Sequence, residues 1–312
     1  MKNYKKISIQ NFIDCFGAKR NEFNKSTLKY IKNNNFEYID TSKTESEKIF
    51  KDISEKIDKK QFSRSGKKRF LDWEDGWKQN YINFKKSNYN TEELIPKYIH
   101  GDRPIRWNQK FIISKKPLLE WRFSNVFRNW IFKKYFNNVK NIYDYGTGTA
   151  CHLVLMSKIF PRKKLVGLDW SKYSQKIIKL LKNKKKLNIK CYNFDFFNIN
   201  NRIKIESNSG VLTYGALEQV GGNFKNFINY LIKNEPEICV HVECEDSFYN
   251  KNKYIDYLGY RYHMQRGYLT GFINFLKYLE KKKVIRILNI KRLYFGSYYQ
   301  EVYNYIVWKI VK

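Results

Sequence analysis

Asp144, Asp169 and Asp195 each follow a short apolar run in the middle of the chain. A glycine pair, Gly146 and Gly148, comes directly after the first of them. Glycine has no Cβ, so a turn built on it can be tight and can admit a ligand close to the backbone. A helix that starts just beyond such a turn aims its free amides into it. Carboxylates beside the turn suit hydroxyl or cationic groups. Glu218 and Glu243 stand at or just beyond two further run ends. With His263 they are the groups that could orient an acceptor or take its proton.

These side chains need elements that bring them together. Runs at 139–143, 164–168, 189–194, 210–214 and 238–242 read as strands. Helical patterns alternate with them: Leu153, Met156 and Phe160 before Pro161; Tyr173, Ile177, Leu180 and Leu181 after Ser171; Phe224, Phe227, Ile228 and Leu231; then Leu269 to Leu279. Two last strands, at 284–290 and 302–311, close the chain. The pattern predicts an α/β fold, a Rossmann-like seven-stranded, mostly parallel sheet with helices on both faces. In such sheets ligands sit at the carboxyl ends of the strands, where the acids fall. A helix over 117–136 precedes, with Leu119, Trp121, Val126, Trp130 and Phe132 as core contacts. Residues 1–90 alternate charged stretches with isolated aromatics. Residues 91–116, with His100, Gly101, Asp102, Arg103 and Pro104, read either as a lid or as a packed loop. The expected division is a mainly helical N-terminal extension with a possible active-site lid over 1–116, and a binding domain over 117–312.

Asp169 follows Gly148 by 21 residues, the spacing of an acid that holds ribose hydroxyls. Two carboxylates at adjacent strand ends, Asp144 and Asp169, disfavour a pyrophosphate. They favour a cofactor with a ribose, an adenine and a positively charged amino-acid end, and S-adenosylmethionine is such a molecule. Asp195 offers a carboxylate to the adenine amino group, and Phe196 offers a ring for stacking. Each aspartate could alternatively cap a helix.

With Asp144-Tyr145-Gly146-Thr147-Gly148-Thr149-Ala150 as its glycine motif, the segment 139–312 resembles the class I S-adenosylmethionine-dependent methyltransferases. The resemblance implies ribose binding by Asp169, adenine recognition at Asp195, and a methionine end lined by the stretch from Leu212 to Gln219. It implies a cofactor set of Asp144, Gly146, Thr147, Gly148, Asp169, Trp170, Asp195, Phe196 and Tyr214. It also implies a last strand antiparallel to the rest. Ala150 stands where a third glycine is frequent. The stretches His241-Val242-Glu243, Tyr262 to Leu269, Arg292 to Ser297 and Ile306-Val307-Trp308 are similar to sugar O-methyltransferases of bacterial surface-polysaccharide gene clusters. That finer resemblance implies a sugar or glycan precursor as acceptor, within polysaccharide biosynthesis. His263 would then be the base, Glu243 would orient a hydroxyl or the histidine, and Glu218 would shape the methionine end. His241 and His152 read as core histidines.

Lys and Arg number 61 against 29 Asp and Glu, a net charge of +32. One reading is a polyanionic partner such as RNA; the other is compositional drift, with scattered lysines solvated at helix ends. An RNA (ribose or cap) methyltransferase and a non-catalytic cofactor-binding subunit are therefore the alternatives to the sugar reading. Five cysteines without zinc spacing fit a reducing compartment, and no metal-ligand cluster is visible, so metal independence is expected. No run of about 18 apolar residues is present to span a membrane, and a cytoplasmic protein is expected. The oligomeric state is not legible.

Overall fold

The computed structural model describes residues 3–99, 101 and 103–311. The N-terminal part runs β1 (Lys5–Lys6), α1 (Ile9–Phe16), α2 (Lys25–Asn33), β2 (Glu37–Asp40), α3 (Lys43–Asp58), α4 (Phe70–Lys86), β3 (Ile105–Trp107) and β4 (Lys110–Ser114). The helices α1 to α3 start on side-chain caps. Ser8 and Asn11, and Ser42 and Glu45, form reciprocal capping boxes, and Asn24 accepts from Thr27 N–H.

From α5 (Leu119–Phe136) onward the order is β5 (Asn141–Tyr145), α6 (Cys151–Ile159), β6 (Lys164–Asp169), α7 (Lys172–Lys185), β7 (Ile189–Asn193), β8 (Ser209–Tyr214), α8 (Lys225–Asn234) and β9 (Ile238–Val242). It ends with α9 (Tyr254–Arg266), α10 (Phe272–Lys281), β10 (Ile285–Lys291), β11 (Phe295–Gly296) and β12 (Tyr305–Ile310). The large sheet has seven strands in the order β10-β12-β9-β8-β5-β6-β7. β5 pairs in parallel with β6 and β8, β6 with β7, and β8 with β9. β12 runs antiparallel to both its neighbours, so the sheet is mixed. Ser171 accepts from Tyr173 and Ser174 N–H and starts α7, whose Ile177, Ile178 and Leu181 are buried.

The N-terminal extension is mainly helical and also carries strands. α1 to α4 are there, but so is a five-stranded antiparallel sheet, β1-β2-β4-β3-β11. Its strands are two to five residues long, too short for a two-residue alternation to stand out. The segments read as 1–116 and 117–312 share one core. Phe12 and Phe16 pack on Phe123, and Phe16 on Trp130. Trp107 and Phe123 meet Phe295 near the other end of the chain. No helix among the described residues is long and apolar enough to cross a membrane.

Candidate functional site

A cavity of about 780 Å³ opens at the carboxyl ends of β5, β6 and β8. Its floor is the turn after β5. Gly146 sits at φ +75°, and a Cβ there would lie 2.3 Å from the Ala216 Cβ. The N–H groups of Gly146 and Thr147 donate to the Leu168 carbonyl at 2.7 and 3.2 Å, tying the turn to the end of β6. Asp169 completes the tie: Oδ2 accepts from Gly148 N–H and Oδ1 from Ser171 N–H, both at 2.8 Å. Burial raises the Asp169 carboxyl to about 6, against the two amides that favour its charge. Asp144 lies fully buried beneath the turn. Its Oδ2 accepts from Thr147 Oγ1 at 2.7 Å, and its Oδ1 has no hydrogen-bond partner among the described residues.

Aromatic walls rise from this floor. Trp170 stacks on Phe197 with centroids 6.1 Å apart and meets Phe70 edge-on at 5.1 Å. Phe194 and Phe196 line the same side. Asp195 does not: its Oδ1 accepts from Phe197 N–H at 2.8 Å, and the residue is absent from the wall. The roof comes from α4, a contribution the sequence reading did not include. Trp73 and Trp77 stack at 5.4 Å, and the Trp77 ring lies 3.0 Å from where a Cβ on Gly148 would sit. A Trp pair four residues apart on one helix face was the available signal. The segment from Pro96 to Ile105 also borders the cavity through Tyr98, Gly101, Arg103 and Pro104; His100 and Asp102 lie outside the described residues.

The other half of the cavity is rich in tyrosine. Tyr98, Tyr214, Tyr268, Tyr298, Tyr299 and Tyr303 line it, with Trp121, Glu120 and Gln300 among them. Tyr214 exchanges a hydrogen bond with Ser124 at 2.9 Å. Gln300 is buried, and its Oε1 has no hydrogen-bond partner among the described residues. Cys151 and His152, at the start of α6, also face the cavity. Burial pushes the Cys151 thiol up, but His152 and Arg128 outweigh it and bring it to about 7. Burial opposes the charge on His152, whereas the Cys151 thiolate and Asp144 draw it up to about 9. The reading of His152 as a core histidine thus misses its place on the wall. His241 is a core histidine: Trp308 Nε1 donates to its Nε2, and Nδ1 faces Thr213 Oγ1, both at 2.9 Å.

The three acid–base candidates are not gathered in the cavity. Glu218 lines it, receiving Cys244 Sγ and Gln219 Nε2 at 2.9 Å, with burial raising its carboxyl. Glu243 is fully buried below and caps the turn after β8. Its carboxylate accepts from the N–H groups of Ala216, Leu217 and Glu218 at 3.0–3.3 Å. It therefore reaches the cavity only by holding Glu218 in place. His263 is fully buried on α9, its Nε2 bonded to the Leu269 carbonyl at 2.8 Å, and burial lowers it to about 4. His263 does not line the cavity, so the position expected of a base there is not the one it occupies.

No family model matches the chain, and no curated protein is similar to it. Solved structures overlap with it in part. The plantazolicin methyltransferase BpumL, in complex with a monoazolic desmethyl analogue and SAH, is 14% identical over 83% of this chain and 99% of its own, with a TM-score of 0.45. A SAM-dependent methyltransferase from Aquifex aeolicus is 14% identical over 59% of this chain and 89% of its own, TM-score 0.42. The N,N-8-amino-8-demethyl-D-riboflavin dimethyltransferase from Streptomyces davawensis is 11% identical over 61% of this chain, TM-score 0.39, and the chain spans 58% of that protein's length. Similarity this low transfers no activity to this chain.

Proposed function

We propose that the cavity binds S-adenosylmethionine and that the protein methylates a hydroxyl of a sugar or glycan precursor. The observation that carries the cofactor reading is the turn itself. Gly146 is pressed against Ala216 and Gly148 against Trp77, and Gly148 N–H donates to Asp169, which stands on the cavity wall with its carboxyl raised by burial. Asp169 would hold the ribose hydroxyls, and Trp170, Phe196 and Phe197 would enclose the adenine. Asp144, buried under the turn, would supply the negative field for the cationic end. Tyr214 and Glu218 would border the methionine end. The cofactor supplies an activated methyl on a sulfonium, so transfer depends chiefly on alignment and on removal of the acceptor proton.

A saccharide suits the tyrosine-rich half of the cavity. Aromatic faces would pack on the C–H faces of a sugar ring, while polar groups on the same wall, such as Glu120, would pair with its hydroxyls. RNA is the second reading, and the net charge of +32 is what favours it.

Methyl-labelled S-adenosylmethionine, given with a host extract split into RNA, protein, lipid and carbohydrate fractions, tests the proposal. Label is expected in carbohydrate and is expected to be lost with Asp144→Ala. Label in RNA, falling steeply with salt, would replace the sugar reading.

A further inference from the structure

We infer that Glu120, on the first turn of α5, is the general base of this site and that Tyr303 positions it. The inference rests on the methyl-transfer reading above and names a residue for the role that His263 does not fill. Glu120 is half-buried on the cavity wall, and the Tyr303 hydroxyl donates to its Oε1 at 2.7 Å. Tyr303 stands just before β12, with its ring 6.1 Å from that of Tyr214 at the carboxyl end of β8. The carboxylate is therefore held beside the methionine end proposed for the cofactor, on the tyrosine-rich side where an acceptor hydroxyl would enter.

Its surroundings suit the task. Tyr214 from β8 and Tyr303 are each shifted upward by burial, so they stay neutral and do not compete for the proton. Tyr98 from the 96–105 segment, Cys151 and His152 on α6, with the His152 ring 4.5 Å from that of Tyr214, and Glu218 after β8 are further titratable groups on this part of the cavity, and Arg128 acts on Tyr214 from within α5. Burial raises the Glu120 carboxyl to about 7, with the Tyr303 hydrogen bond working against the rise. A base is most effective with a pKa near the working pH. In the balance, the acceptor oxygen gains the methyl carbon, and the carbon–sulfur pair remains on the departing thioether. The hydroxyl proton ends on a Glu120 carboxylate oxygen.

The sign of the pH dependence follows. A base works deprotonated, so transfer should rise with pH through about 7 and then level. Tyr303→Phe removes the hydrogen bond that favours the carboxylate, so its acid limb should move to higher pH.

The test combines carbon NMR of glutamate-labelled protein with label transfer to the carbohydrate fraction. The carboxyl resonance missing in Glu120→Gln should titrate near 7 in the wild type and higher in Tyr303→Phe. Glu120→Gln should lose at least about 100-fold in transfer rate, with unchanged affinity for S-adenosylhomocysteine, and Glu120→Asp should recover part of the loss. A resonance titrating in the ordinary carboxylate range, or Glu120→Gln transferring at the wild-type rate with the same pH profile, would overturn the assignment. If the wild type itself fails to bind S-adenosylhomocysteine, or binds it and labels no fraction, the methyl-transfer reading falls, and this inference with it.

Discussion

Replacing Arg292 by Ala should lower the thermal midpoint by about 5–8 °C, through a loss of about 3–5 kcal/mol. Arg292 bridges two buried carboxylates. Its Nη1 and Nη2 donate to Asp256 at 2.8 and 2.6 Å, and its Nε and Nη2 to Glu301 at 2.6 and 3.1 Å. Asp256 and Glu301 are 0% and 1% exposed, so removing the cation leaves two charges that water cannot reach. The bridge also joins α9 to the 291–304 arm, which carries Gln300 and Tyr303 to the cavity. A joint change of Arg292, Asp256 and Glu301 to apolar residues of similar volume should recover much of the loss, because no charge is left unpaired. Urea and thermal melts of the single and triple variants check this. A single variant that melts with the wild type would mean the bridge holds nothing together.

Gly146→Ala should weaken S-adenosylhomocysteine binding by about 100-fold, the equivalent of about 3 kcal/mol. Two strains add at this position. The backbone is left-handed at φ +75°, a conformation that costs a non-glycine residue about 1–3 kcal/mol. The new Cβ would also meet the Ala216 Cβ at 2.3 Å, on the segment that leads to Glu218. The turn must move, and Gly148 and Asp169 move with it. Gly222→Ala, where a Cβ meets nothing within 4 Å, should bind normally. Calorimetric titration of both variants checks the contrast; equal binding would separate the glycine turn from the ligand.

The glycine turn, Asp169 and the alternation of strands and helices were legible because each rests on local chemistry. A tight turn needs glycine, and a buried parallel strand needs an unbroken apolar run. The place of Glu218 on the cavity wall was legible from the turn that follows β8. The rest depends on long-range packing. α9 has aromatic and charged residues on all sides, so no stripe tells that His263 points inward while Tyr262 meets the cavity. Glu120 sits on the first turn of a helix whose other faces are largely core, where an acid reads as a partner of the helix dipole. Its role appears only once Tyr303, far along the chain, is brought to it. The roof from Trp73 and Trp77 likewise depends on α4 folding over the turn.

The central claim is that the space between the glycine turn, Asp169 and Trp170 holds an S-adenosyl group. Calorimetric titration of S-adenosylhomocysteine into the wild type and Asp169→Asn tests it most directly, with melts confirming that both are folded. Saturable binding by the wild type is expected, with a loss of about 10–100-fold in the variant, the equivalent of one hydrogen bond to a charged group. Absence of binding by the folded wild type, or equal binding by Asp169→Asn, would contradict it.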